Sequence, residues 1–289
     1  MIYLLFCVLS STLIFVVFKL FERFKINILQ AITVNYITAF ITGIIVYDQV
    51  VSISQLVNFN WFYYTLFLGI LFIIIFFLMA ITTQKGGLSV VSIATKMSMV
   101  IPILFGLFYY KEDAGALKII GIILALIAVY FSSLKAKSSI TVHKKYLIYP
   151  VLVFMGSGII DTSLKFLEDS FVAKNDVPLF SATIFLTAAI IGIIIIAVKS
   201  IRGGFKIEFK NIIAGVFLGI PNYFSIYFLL QALRSEGFES SDIFTLNNVA
   251  VVMLSTIIGI LLFKEKLIPK NWIGIFLAIL SILFIFISN

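Results

Sequence analysis

Apolar runs of close to twenty residues follow one another along nearly the whole chain, separated by short polar connections. A helix needs about 20 mainly apolar residues to cross the hydrocarbon core of a bilayer. Inside lipid only helices and closed barrels satisfy their own backbone groups. Ten such runs are read, at about Met1–Leu20, Ile28–Val46, Trp61–Thr82, Leu88–Tyr109, Leu117–Leu134, Tyr146–Leu167, Val177–Val198, Ile212–Leu233, Ile243–Phe263 and Trp272–Ser288. They are too long and too little alternating for the strands of a membrane barrel. Composition agrees: 62% of residues are hydrophobic and 12% charged, against roughly 45–50% and 25% in soluble domains. Met1 opens directly into apolar sequence, without the basic segment and small-residue cleavage site of a signal peptide, so the first run is read as a permanent span.

The runs also repeat. Phe67-Leu68-Gly69-Ile70 returns as Phe217-Leu218-Gly219-Ile220, Lys111-Glu112 as Lys264-Glu265, and Gly121-Ile122-Ile123-Leu124-Ala125 as Gly274-Ile275-Phe276-Leu277-Ala278. Phe18-Lys19-Leu20 aligns with Leu164-Lys165-Phe166, Gly43 with Gly192, and Gly106 with Gly259. The shift between mates grows slowly, from 146 residues at Lys19 to 153 at Lys111, as loop insertions in a duplicated gene produce. This divides the chain into a first five-helix repeat at 1–134, a basic linker at 135–145 and a second repeat at 146–289. An odd number of spans per repeat makes the second copy enter the membrane from the opposite side. The expected fold is an all-α integral membrane protein, with ten transmembrane helices as two inverted five-helix repeats around a central cavity. Duplicated membrane bundles of this kind are the mark of transporters, in which two similar halves rock about a shared site.

Charge and reactive residues narrow the function further. The net charge is +8, but no lysine- or arginine-rich run of the nucleic-acid-binding kind is present. The single cysteine, Cys7, cannot form an internal disulfide and sits mid-run as a packing residue; the single histidine, His143, lies in the polar linker. Zinc chemistry and Ser/His or Cys/His catalysis therefore lack their parts, and neither an enzyme nor a bound cofactor is expected. With the N-terminus outside, the inner connections carry 15 lysines and arginines and the outer ones 5, which by the positive-inside rule places both termini outside.

At this point the residues resemble a known family. Gly87-Leu88-Ser89, Lys96-Met97-Ser98, Val100-Ile101-Pro102, Gly106, Lys111-Glu112 and Gly121 are similar to the pattern of the EamA family of the drug/metabolite transporter superfamily. That pattern is a glycine turn, a small-residue helix, a proline, a terminal glutamate and a glycine-led next helix. The second copy keeps Gly259, Glu265 and Gly274 but has Ser255 where the proline falls. The resemblance runs over essentially the whole chain. It implies ten helices in inverted repeats, a central cavity, and movement of small organic metabolites across a bacterial cytoplasmic membrane. It also implies cytoplasmic termini, against the charge count.

Ionisable and polar residues inside lipid are costly and mark candidate sites. Lys96 lies deep in the fourth span, sharing a helical face with Ser92 and Met99 and adjoining Thr95. Asp161 and Lys165 stand one turn apart on the sixth span, after Gly156-Ser157-Gly158; they either neutralise each other, or Asp161 is the partner of Lys96. Lys19, the repeat mate of Lys165, is read as snorkelling to the interface. The ninth span carries Thr245, Asn247 and Asn248. The eighth contains Gly219-Ile220-Pro221-Asn222-Tyr223, where proline frees a carbonyl and either kinks the span or breaks it to form a site. Asn35-Tyr36 is a weaker candidate on the second span. Glu112 and Glu265 are read as fixing the turns into the next helices, and Trp61 and Trp272 as anchors in the aromatic belts at span ends.

The leading expectation is a secondary transporter, an exporter of small polar, zwitterionic or anionic metabolites such as amino acids, working by alternating access. Its site comprises Lys96, Asp161, Lys165, Asn247, Asn248, Thr95, Ser92, Ser157, Asn222 and Tyr223. The alternative is a flippase or carrier for isoprenoid-phosphate, lipid-phosphate or nucleotide-conjugated substrates. The partners expected are the small-molecule substrate and the lipid bilayer, with protons as one candidate coupling ion. Nucleic acid is excluded, and the chain is read as a monomer or homodimer.

Overall fold

The computed structural model describes residues 1–86, 88–113, 115–134, 148–201, 207–264 and 268–288; of residues 22, 80, 83–86, 88–90, 92 and 133 it describes the backbone alone. Gly87, the linker with Lys135, Lys137, His143, Lys144 and Lys145, and also Arg202, Lys206, Glu265 and Lys266, lie outside the described residues, as do the side chains of Lys85, Ser89 and Ser92.

The described residues are helical, without strands. In order the helices are α1 (Ile2–Arg23), α2 (Ile28–Tyr47), α3 (Ile53–Val57), α4 (Phe62–Gly86), α5 (Leu88–Met97), α6 (Val100–Tyr109), α7 (Ala116–Ser133), α8 (Ile148–Phe171), α9 (Val177–Ile201), α10 (Phe209–Leu233), α11 (Ser240–Phe263) and α12 (Pro269–Ser288). A single 3-10 turn at Lys174–Asp176 leads into α9. Among them eight are long and apolar enough to cross a membrane, and two shorter apolar stretches, Ile93–Tyr109 and Ala116–Ser132, fall in the expected fourth and fifth spans. Several threonine hydroxyls within the spans are satisfied by their own helix: Thr12 donates to Val8 O at 2.7 Å, Thr33 to Leu29 O at 2.9 Å and Thr183 to Leu179 O at 2.8 Å. That back-bonding lets polar residues sit in lipid without an orphaned donor.

Two features depart from the expected spans. α3 is a short helix in the connection after α2. It is started by a capping box in which Ser52 Oγ accepts from Gln55 N while Gln55 Oε1 accepts from Ser52 N at 2.9 Å. The fourth span is two helices, α5 and α6, interrupted at Ser98 and Met99. Pro102 explains the interruption: it lacks the N–H that would reach Ser98 O, and its ring crowds that carbonyl. The ladder tightens to three-residue bonds, Met99 N to Lys96 O at 3.4 Å and Ile101 N to Ser98 O at 3.0 Å. The other candidate for a broken span, α10, runs without interruption through Pro221.

The chain divides into two compact units, each drawing on both sequence halves: Met1, Ile75–Thr162 and Ala232–Asn289 in one, Ile2–Ile74 and Ser163–Gln231 in the other. In the first unit α7 packs along α12 through glycines. Gly121 lies against Ser281 and Ile285, and Gly274 against Ala128 and Ser132. These contacts are reciprocal under a constant shift of 153 residues, which carries Gly121 to Gly274, Ala128 to Ser281 and Ser132 to Ile285. Such exchange of equivalent contacts is the property of a two-fold interface. Asn271 caps the pairing, its Nδ2 donating to the carbonyls of Phe131 and Leu134 at 2.9 and 2.8 Å.

The second unit shows the same reciprocity. A Cβ on Gly43 would stand 2.6 Å from Ala182 Cβ, and one on Gly192 would stand 2.7 Å from Thr33 Oγ1. A shift of 149 residues exchanges the two contacts. Likewise Gly219 faces Asn35 O and Thr38 on α2, while its mate Gly69 faces Ile184 O and Thr187 on α9. One end of this unit is tied by amides: Asn211 donates from Nδ2 to Gln30 Oε1 at 2.6 Å and accepts at Oδ1 from Asn27 N at 2.9 Å. The duplication therefore has a physical use. The small residues that repeat are those across which helix backbones of the two copies meet.

Candidate functional site

Lys96 occupies the last turn of α5 and is 9% exposed. The break after it leaves backbone carbonyls at the end of α5, a favourable setting for a cation. Thr95 donates its hydroxyl to Val91 O at 2.6 Å, and Ser98 donates to Thr95 O at 2.6 Å. α8 approaches this break through Gly158: a Cβ there would lie 2.7 Å from Ile101 Cβ. Asp161, one turn further along α8, is half-buried. Ser157, four residues before Asp161 on the same face, is buried. Asn247 and Asn248 are buried in α11, and Asn248 Nδ2 donates to Phe244 O at 2.9 Å. These residues belong to the first unit. Isolated charges at mid-helix cost roughly 3 kcal/mol each on insertion scales. Lys96 and Asp161 lie in the same unit, where opposite charges can offset part of that cost.

Lys165, Asn222 and Tyr223 lie in the second unit. Lys165 pairs with Glu168 at 3.6 Å and Asp169 at 3.7 Å, both on its own helix. Asn222 donates from Nδ2 to Asn35 Oδ1 at 3.1 Å. Tyr223 is fully buried, lies against Gly43 and stacks on Tyr227 at 5.9 Å. The Ser92 side chain is outside the described residues.

Several residues prove to be architectural. Glu112 was expected to fix its own turn. Its carboxylate instead accepts from the backbone N–H groups of Ser240 and Ser241, both at 3.0 Å, and from the Ser240 hydroxyl. It thus caps the start of α11, where the helix dipole favours an anion. Gly106 makes room, since a Cβ there would stand 2.8 Å from Glu112 Oε2. Lys111 and Lys264 both adopt left-handed backbone, φ 54° and 53°, closing the helices before them.

Beside this cap lies a cluster that span-by-span reading missed. Lys118, 2% exposed, bridges Glu239 and Asp242, the latter at 3.2 Å, and Asp242 is fully buried. Its sequence signal was a charge within the first turn of two apolar runs that reach the same end of the bundle. Trp61 is a correction. It is 1% exposed, stacked on Phe59 at 4.7 Å and edge-on to Phe180 at 5.7 Å. Aromatic packing, not the lipid interface, holds it, whereas Trp272 is 62% exposed. Cys7 is buried, its thiol donating to Ser225 O.

Comparison with known proteins fits this architecture. The EamA-like transporter family matches over residues 1–134. An uncharacterized protein of Haemophilus influenzae is 30% identical over 293 residues, covering 96% of this chain and 95% of its own length. A crystal structure of a protein with 14% identity superposes with a TM-score of 0.76, covering 98% of this chain and 94% of the other; at that identity the likeness concerns the fold alone. With its apolar spans, its reciprocal helix pairs and these matches, the chain belongs to the EamA-like transporter family of integral membrane proteins.

Proposed function

We propose that the chain is a secondary transporter that exports small polar, zwitterionic or anionic metabolites, amino acids among them, from the bacterial cytoplasm by alternating access. The observation that carries this reading is Lys96, buried at the interruption between α5 and α6 in the unit that also holds Asp161 of α8. Lys96 receives a carboxylate or other anionic group of the substrate, and Asp161 receives an ammonium or the charge that substrate binding displaces. Thr95, Ser157, Asn247 and Asn248 supply polar surface in the same unit. Lys165, held by Glu168 and Asp169 on its own helix, is not a member of that charged pair.

Repeat asymmetry supports the assignment. The glycines at the helix pairings recur, whereas Lys96 and Asp161 have Val249 and Phe15 as mates. A scaffold shared by both copies carries charges in only one, as recognition of an asymmetric solute requires. Direction is tested in cells that overproduce the protein and are challenged with toxic metabolite analogues. Export predicts protection by the native chain and none by Lys96→Ala at equal membrane abundance; equal protection by both would remove Lys96 from the site.

A further inference from the structure

The second unit holds a polar cluster that packing does not require. Asn35 is fully buried, and its Oδ1 accepts from Asn222, but its Nδ2 has no acceptor among the described residues. The hydroxyl of Tyr223, next to Asn222 on α10, is also buried and has no partner among them. Both groups are hydrogen-bond donors, and in hydrocarbon an unmet donor is costly.

Interhelical glue alone does not account for this. The repeat mates of Asn35 and Tyr36 are Ile184 and Phe185, and those of Asn222 and Tyr223 are Phe72 and Ile73. The two helix pairs nevertheless approach equally closely: a Cβ at Gly219 would stand 2.6 Å from Asn35 O, and one at Gly69 would stand 2.7 Å from Ile184 O. The scaffold thus makes the same approach with apolar side chains in one copy and with amides in the other. The surroundings are aromatic. Phe185 lies 6.1 Å from Tyr36 and 6.4 Å from Tyr223 between ring centroids. Tyr227, stacked on Tyr223, is part-exposed, and Asn222 keeps 5% of its surface accessible.

Resting on the transporter reading above, we propose that Asn35, Asn222 and Tyr223 form an uncharged subsite that takes a carbonyl or carboxamide oxygen of a transported molecule. Asn35 Nδ2 and Tyr223 Oη donate to that oxygen, and Asn222 holds the Asn35 amide in the donating orientation.

The test measures thermal stabilisation of the purified full-length protein by two zwitterions of similar length, L-glutamine, which bears a carboxamide, and L-norleucine, which does not. Glutamine is expected to bind roughly tenfold tighter than norleucine. That advantage should disappear in Tyr223→Phe and in the double variant Asn35→Leu/Asn222→Leu, while both unfold cooperatively without ligand and so report a folded protein. Equal binding of the two probes by the native chain, or an advantage that survives in both variants, overturns the subsite and leaves the Lys96–Asp161 reading standing. No stabilisation of the native chain by either zwitterion overturns both.

Discussion

Replacing Lys118 by methionine keeps most of the side-chain volume and removes one charge from a buried cluster of three. Lys118 is 2% exposed and lies between Glu239, 37% exposed, and Asp242, 0% exposed. Removing one member of a buried ion pair costs about 3–5 kcal/mol, because the remaining charge stays desolvated. Glu239 can turn to solvent, so most of the loss falls on Asp242, and the lower end, about 3 kcal/mol, applies. Asp242 also accepts from Glu239 N at 3.0 Å within the box that starts α11, so its strain passes directly to that helix. At about 2–4 °C per kcal/mol for a chain of this size, the melting temperature of the detergent-solubilised protein should fall by about 6–12 °C. Lys118→Met/Asp242→Asn should recover at least half of the fall, since the asparagine keeps a cap acceptor without the charge. An unchanged melting temperature in Lys118→Met would refute the reasoning. So would a double variant no more stable than the single one.

Glu112→Ala removes the acceptor for two backbone N–H groups of α11 and should cost about 1–2 kcal/mol, with faster hydrogen exchange at Ser240 and Ser241 as the local readout. Gly121→Val and Gly274→Val should lower the melting temperature by similar amounts, because each pushes a branched side chain into the equivalent contact of the α7–α12 pairing. Pro102→Ala should leave stability unchanged or raised as α5 and α6 join, yet reduce transport, because Lys96 then leaves the end of a helix.

Most of the helices were legible because lipid acts as a uniform solvent: run length and hydropathy translate into spans with little interference from tertiary context. The glycines recurring in the two copies were likewise readable, and their reciprocal contacts show why they recur. What escaped was set by neighbours distant in sequence. Pro102 and Pro221 have the same covalent effect, yet one interrupts its span and the other does not. Which outcome a proline takes depends on its tertiary surroundings, and no local sequence pattern records those. Trp61 stands where an interfacial anchor belongs but is claimed by Phe59 and Phe180. The Lys111-Glu112 turn was visible, but its partner on α11 lies 128 residues further along the chain. α3 was overlooked although Ser52 and Gln55 carry the spacing of a capping box. Within the candidate site, the charges of Lys96 and Asp161 were legible as costs. The interruption that places Lys96 at a helix end was not.

The central claim is that a solute crosses the membrane by engaging Lys96 and Asp161. Solute flux into proteoliposomes, measured with a panel of radiolabelled zwitterions and organic anions, tests it most directly. The account predicts saturable flux of at least one solute by the native chain. Lys96→Ala and Asp161→Asn should each reduce that flux by at least tenfold, roughly the loss of one charge-assisted contact, at equal incorporation of folded protein into the vesicles. Undiminished flux in both variants would contradict it.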